Sequence, residues 1–140
     1  MKHCLLFWCS ISLLCPLIGY SQLFINEVSQ GASGSKEYVE FVVIGSGCNS
    51  CVDIRGWIFD DNNGWHETPI ATGQGIAAGA MRFAYVDQWA CVPAGTIIVI
   101  YNNGDLNPDM PADDPTDSNG DCVFIIPANS NLLDRTTTYP

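Results

Sequence analysis

The residues best suited to chemistry lie in an acidic stretch between positions 102 and 121. Oxygen-bearing side chains alternate there in two sets: Asp105, Asn107 and Asp109, then Asp117, Asn119 and Asp121. Such alternation around a turn suits Ca²⁺, which takes about six to eight oxygen ligands. An EF-hand register does not fit, because Gly120 stands at the fourth place rather than the sixth and no Glu closes the loop. A calcium site and a solvated acidic loop both remain open.

Other candidate motifs are less specific. Residues 73–78 (GQGIAA) resemble a dinucleotide-binding fingerprint but lack the helix that must follow it, so we interpret them as a turn. His66 has no second histidine nearby for a metal site, and no Gly-x-Ser-x-Gly motif supplies a nucleophile for a triad. These motifs therefore single out no catalytic residue, and paired carboxylates for glycoside hydrolysis stay open at this point. Four aromatic residues would suit stacking on sugar rings if exposed and core packing if buried: Trp65, Tyr85, Trp89 and Tyr101.

The first 21 residues have the pattern of a secretory signal peptide. Lys2 gives a basic start, an apolar run covers residues 5–18, and small residues at Gly19 and Ser21 predict cleavage between Ser21 and Gln22. The run is too short to span a bilayer comfortably, and no later segment is long and apolar enough for a transmembrane helix. The whole chain has 140 residues and a net charge of −10, which argues against nucleic acid as a partner. We expect a secreted or cell-surface protein.

Four cysteines remain after removal of the signal peptide: Cys48, Cys51, Cys91 and Cys122. An even number in an exported chain favours disulfides. Cys48 and Cys51 have C-x-x-C spacing, but predicted strands flank them where a redox pair needs a helix, and no second closely spaced pair completes a zinc site. We expect pairing of Cys91 with Cys122, which would pin the acidic stretch, and of Cys48 with Cys51. Crossed pairing stays open.

Short apolar runs separated by turn residues predict strands along the whole exported chain. In residues 37–44 (EYVEFVVI), Val39, Phe41 and Val43 share one face of the predicted strand. No window shows helical periodicity, so we predict an all-β domain over residues 22–126, with residues 127–140 as a tail or the start of a linker. The other predicted strands cover residues 23–28, 52–59, 81–86, 96–101 and 122–126, and a short one lies between turns in 72–79.

The order and spacing of these runs resemble the lamin tail domain, over roughly residues 23–102. The resemblance is carried by residues 25–28 (INEV), 37–41 (EYVEF), 53–61 (DIRGWIFDD), 75–79 (GIAAG) and 96–102 (TIIVIYN). It implies an immunoglobulin-like β-sandwich. Because a signal peptide excludes the role of nuclear lamins, it also implies the exported bacterial branch, where the domain accompanies hydrolases or surface proteins and is generally not catalytic. We expect Trp57 to fill the centre of this sandwich, so that Trp57→Ala would be severely destabilising.

The functional expectation is therefore an exported, non-catalytic β-sandwich module for adhesion, targeting or a structural role at the cell surface. Its partner would be a surface protein or a glycan, and the chain would belong to a longer parent protein with further domains. The main alternative is a calcium-dependent carbohydrate-binding module that uses the 102–121 loop and the nearby aromatic residues. An accessory domain of a secreted hydrolase ranks below both.

Overall fold

The computed structural model describes residues 22–31, 36–45, 49–60, 80–105 and 107–136. Within these ranges the chain forms β-strands and a short 3-10 helix, Asp87–Trp89, but no α-helix, which confirms the predicted all-β class. No helix in the described part is long and apolar enough to cross a membrane. The strands are β1 (Gln22–Ser29), β2 (Tyr38–Ile44), β3 (Cys51–Val52), β4 (Ile58–Phe59), β5 (Ala80–Phe83), β6 (Val92–Pro93), β7 (Ile97–Tyr101), β8 (Val123–Pro127) and β9 (Leu133–Thr136).

The largest sheet contains four strands in the order β1-β2-β7-β8. β2 pairs antiparallel with both β1 and β7, whereas β7 and β8 run parallel. On β2 the residues Val39, Phe41 and Val43 are buried and face the main core, as the alternation predicts. The opposite face of the sheet carries a second buried cluster formed by Val99, Tyr101 and Ile125. Both faces of this sheet are therefore covered along β7 and β8.

Two smaller sheets complete the described structure, one with the order β4-β5-β9 and one that pairs β3 with β6. β9 lies beyond the predicted end of the domain at residue 126, and its buried Leu133 pairs with Phe83 of β5. The folded part of the chain therefore extends further than predicted, into the segment interpreted as a tail. The sequence around Leu133 gave no strand signal because charged and polar residues follow it without alternation.

An aromatic cluster forms the centre of the main core, but Trp57 is not its central member. Trp89 is fully buried, packs edge-on against Phe83 and Phe124 at centroid distances of 5.3 and 5.9 Å, and donates its indole N–H to the Leu132 carbonyl. Trp57 is 41% exposed. The core prediction for Trp57 is wrong because this residue immediately precedes a two-residue strand at the sheet edge, where a groove replaces the core.

Candidate functional site

The acidic stretch after β7 packs onto the outer face of the large sheet. Tyr101 donates its hydroxyl to Asp113 at 2.6 Å, and the Gln88 side chain donates to the Pro115 carbonyl at 2.8 Å. Asp114 forms two backbone hydrogen bonds with Ile125, which covers the free edge of β8. Hydrogen bonds to the sheet and to Gln88 therefore hold the stretch in place. The sequence led us to expect that a disulfide at Cys122 would do this instead.

Several of the predicted calcium ligands accept hydrogen bonds from the loop's own backbone. Asp117 accepts the amide of Cys122, Asp121 accepts the amide of Val123, and Asn119 accepts the amide of Asp121. Asn107 likewise accepts the amide of Asp109, whereas Asp105 is exposed. No group of three or more His, Cys, Asp or Glu side chains gathers within the described residues. The acidic side chains shape the loop through these hydrogen bonds, and a calcium site and a solvated acidic loop both stay predictions.

Two groups in this region have shifted pKa values. Burial, together with the hydrogen bond to Asp113, raises the pKa of Tyr101 to about 12. Hydrogen bonds from the backbone amide of Ser118 lower the pKa of Asp114, and those from Asn119 and Thr116 contribute. The folded loop thus favours the protonated hydroxyl of Tyr101 and the ionised carboxylate of Asp114.

The disulfide in the described structure joins Cys51 to Cys91, with their Cα atoms 5.0 Å apart. The expected pairing of Cys91 with Cys122 and of Cys48 with Cys51 is wrong, and Cys122 is an exposed free thiol. The reason is strand pairing: β3 and β6 lie side by side, which places Cys51 opposite Pro93, whereas Cys122 precedes β8 in another sheet. Cys48 lies outside the described residues.

The predicted sugar-stacking aromatics do not form one surface. Trp89 and Tyr101 are buried, so neither ring is available to a ligand. Tyr85 is 71% exposed, with the Arg82 guanidinium 5.6 Å from its ring centre. Trp65, like His66 and the 73–78 turn, lies outside the described residues.

The strongest surface feature is an apolar patch around β1, which we call the β1 patch. Its members are large apolar side chains with 41–60% of their area exposed on the groove side of β1: Ile25, Val28, Trp57 and Ile58. Phe24 and Ile44 are also partly exposed, but they lie on the opposite face of the sheet. Single exposed apolar residues are ordinary, whereas a contiguous group of them indicates a binding surface. The sequence placed these residues in strands but gave no sign that their side chains stay partly exposed.

A groove of about 240 Å³ lies between β1 and β4 within this patch. Its lining is apolar apart from one carboxylate, and it consists of Leu23, Ile25, Phe41, Trp57, Ile58, Phe59, Asp60 and Phe83. Phe41, Phe59 and Phe83 belong to the aromatic core, with ring centroids 5.1–5.8 Å apart. The groove is thus an opening at the side of the core, bordered by strands of two different sheets.

Two carboxylates stand on the outer face of the β1–β2 pair. Glu27 on β1 lies directly opposite Glu40 on β2. Tyr38 donates its hydroxyl to Glu27, and Asn26 donates its side-chain amide to Glu40. Within the described residues the ion pairs are Arg55–Asp53 and Arg82–Asp134, and neither involves this acidic pair. Like charges opposite each other on paired strands repel, so the position favours a cation from outside.

Comparisons of the chain with protein-family models, curated proteins and solved structures find no match.

Proposed function

We propose that this chain is an exported, non-catalytic β-sandwich module of the lamin-tail type that attaches to a partner at the cell surface. The observation that carries the proposal is the β1 patch, because a folded domain that leaves Ile25, Trp57 and Ile58 partly exposed around one groove offers a surface for association. The immunoglobulin-like form of the sandwich and its lamin-tail relationship are part of this proposal.

Two further features support export. The sequence begins with a segment that has the pattern of a signal peptide, and the described structure contains a disulfide between residues 40 positions apart. Structural disulfides form and persist mainly in oxidising compartments, such as the periplasm or the extracellular space. Attachment outside the cytoplasm therefore agrees with both features.

The proposal is tested by expressing the full chain in an exporting bacterial host and measuring how much of the processed protein stays on washed cells. We expect an N-terminus at Gln22 and retention of the wild type. The double variant Ile25→Ser with Trp57→Ser should appear in the medium. Tyr85→Ser, which removes a more exposed aromatic residue outside the β1 patch, should be retained like the wild type. Release of the wild type into the medium, or equal retention of all three proteins, would contradict the proposal.

A further inference from the structure

The two edges of the four-stranded sheet differ in how they end. At β8 the backbone of Asp114 bonds to Ile125, so the chain closes this edge itself. At β1 no strand pairs with the outer edge within the described residues, although the strand is eight residues long. An open edge presents backbone N–H and C=O groups that can accept another strand. Natural domains that bind extended peptides use such edges.

The side chains of β1 divide into two faces with different chemistry. Leu23, Ile25 and Val28 lie opposite Val43, Phe41 and Val39, so they share the face that looks towards the core and the groove. An irregularity in the register between Ile25 and Glu27 then turns Glu27 to the opposite face, beside Glu40. A strand added to β1 would therefore meet only apolar side chains on one face, and Phe24 with a pair of carboxylates on the other.

We propose that the outer edge of β1 binds an extended segment of a partner protein that has apolar side chains on one face and a basic side chain on the other. The apolar side chains would enter the groove beside Ile25 and Trp57. The basic side chain would stand next to Glu27, within reach of Glu40 on the following strand. This inference rests on the proposed attachment function and names the chemistry of its partner.

Charge distinguishes this occupant from a second copy of the chain. A second copy would bring its own Glu27 and Glu40 to the interface, and the chain carries 15 acidic side chains against 5 basic ones. Net charge of this size opposes self-association and attracts a basic partner. The acidic pair is thus a selective feature, since it favours a basic strand and disfavours another copy.

The experiment measures binding of a synthetic peptide in which lysine alternates with valine to the secreted, processed chain. Its two controls are the same peptide with glutamate in place of lysine, and the lysine peptide with N-methyl groups on every backbone amide. We expect saturable binding of the lysine peptide with slower hydrogen exchange in β1. The glutamate peptide should bind at least about tenfold more weakly, because like charges at an interface are costly. The N-methylated peptide should fail to bind, because it cannot complete a strand ladder.

Protein variants then locate the peptide. The double variant Glu27→Gln with Glu40→Gln keeps the acceptors for Tyr38 and Asn26, and it should weaken lysine-peptide binding by about fivefold at low salt, less at high salt. Ile25→Ser should weaken binding by removing an apolar contact in the groove. Asp105→Asn, an acidic residue outside the β1 patch, should bind the peptide like the wild type.

The inference is overturned if the lysine and glutamate peptides bind equally, if neither binds, or if Asp105→Asn weakens binding as much as the double variant does. It is also overturned if light scattering shows a wild-type dimer that Ile25→Lys dissociates, because a second copy would then occupy the edge. Failure of peptide binding with intact retention on cells would leave the attachment function standing. Release of the wild type from cells would contradict both the attachment function and the inference that β1 binds a basic strand.

Discussion

At the scale of single residues, Trp89 and Trp57 should contribute very differently to stability. Trp89 is fully buried among Phe83 and Phe124, so Trp89→Ala should lower the free energy of unfolding by about 3–5 kcal/mol. Trp57→Ala should cost roughly 1 kcal/mol or less, because the side chain already contacts solvent. Urea unfolding followed by circular dichroism measures both. Equal losses for the two variants would show that Trp57 also belongs to the core.

The hydroxyl of Tyr101 should make a contribution to stability that depends on pH. Tyr101→Phe removes the bond to Asp113 and should cost about 1 kcal/mol at neutral pH. The pKa of Tyr101 rises from 10.0 to about 12 on folding, so the stabilisation is complete below pH 10 and is lost as the pH rises towards 12. The free energies of unfolding of the wild type and of Tyr101→Phe, compared at neutral pH and at pH 12, test this. The exposed Tyr85→Phe serves as the control, and a wild-type advantage that persists unchanged at pH 12 would contradict the prediction.

At the scale of elements, the acidic loop should depend on Asp114. Its carboxylate accepts the amides of Ser118 and Asn119, so Asp114→Ala should speed hydrogen exchange at both amides, whereas Asp105→Ala should not. The pKa of Asp114 is lower in the folded state than its usual 3.8, so its contribution is present above about pH 4 and is lost as the pH falls through the folded value. Exchange at Ser118 that is unaffected by Asp114→Ala would show that other contacts hold the loop.

The pairing of β3 with β6 should depend on the disulfide between Cys51 and Cys91. In the chain-entropy model, a crosslink across 40 positions stabilises by about 4 kcal/mol. The Cys51→Ser, Cys91→Ser variant should therefore be much less stable in urea, while Cys122→Ser should resemble the wild type. Mass spectrometry without reduction should find the 51–91 crosslink and an alkylated Cys122. A crosslink between Cys91 and Cys122 would contradict this pairing.

At the scale of the whole molecule, calcium should not raise the melting temperature. The oxygens of Asp117, Asn119 and Asp121 already accept backbone amides, and a bound ion would have to compete for them. A true site in the native state at about 100-fold excess of calcium over its Kd would add about 2.7 kcal/mol. The melting temperature, measured with calcium and with chelator, distinguishes a solvated loop from a calcium site. A clear upward shift, abolished by Asp117→Ala with Asp121→Ala, would make the loop a metal site.

The sequence by itself determined the features that depend on local patterns. Alternation of apolar and polar residues identified β2 and its buried face, because side chains on a strand alternate with a period of two whatever the strand packs against. Continuous apolar runs between turn residues located β7 and β8 to within one residue at each end, and the lack of helical periodicity agrees with the absence of α-helices from the described part of the chain.

Only the tertiary structure decided which residues meet across the chain and which strands remain uncovered. Cys51 reaches Cys91 because β3 lies beside β6. Trp89 lies in the core because Phe83 of one sheet and Phe124 of another pack against its ring. β1 reads as an ordinary half-buried strand in the sequence, yet no strand pairs with its outer edge within the described residues. Pairing and covering are relations between distant segments, so the apolar edge and its acidic pair became visible only once the chain was folded.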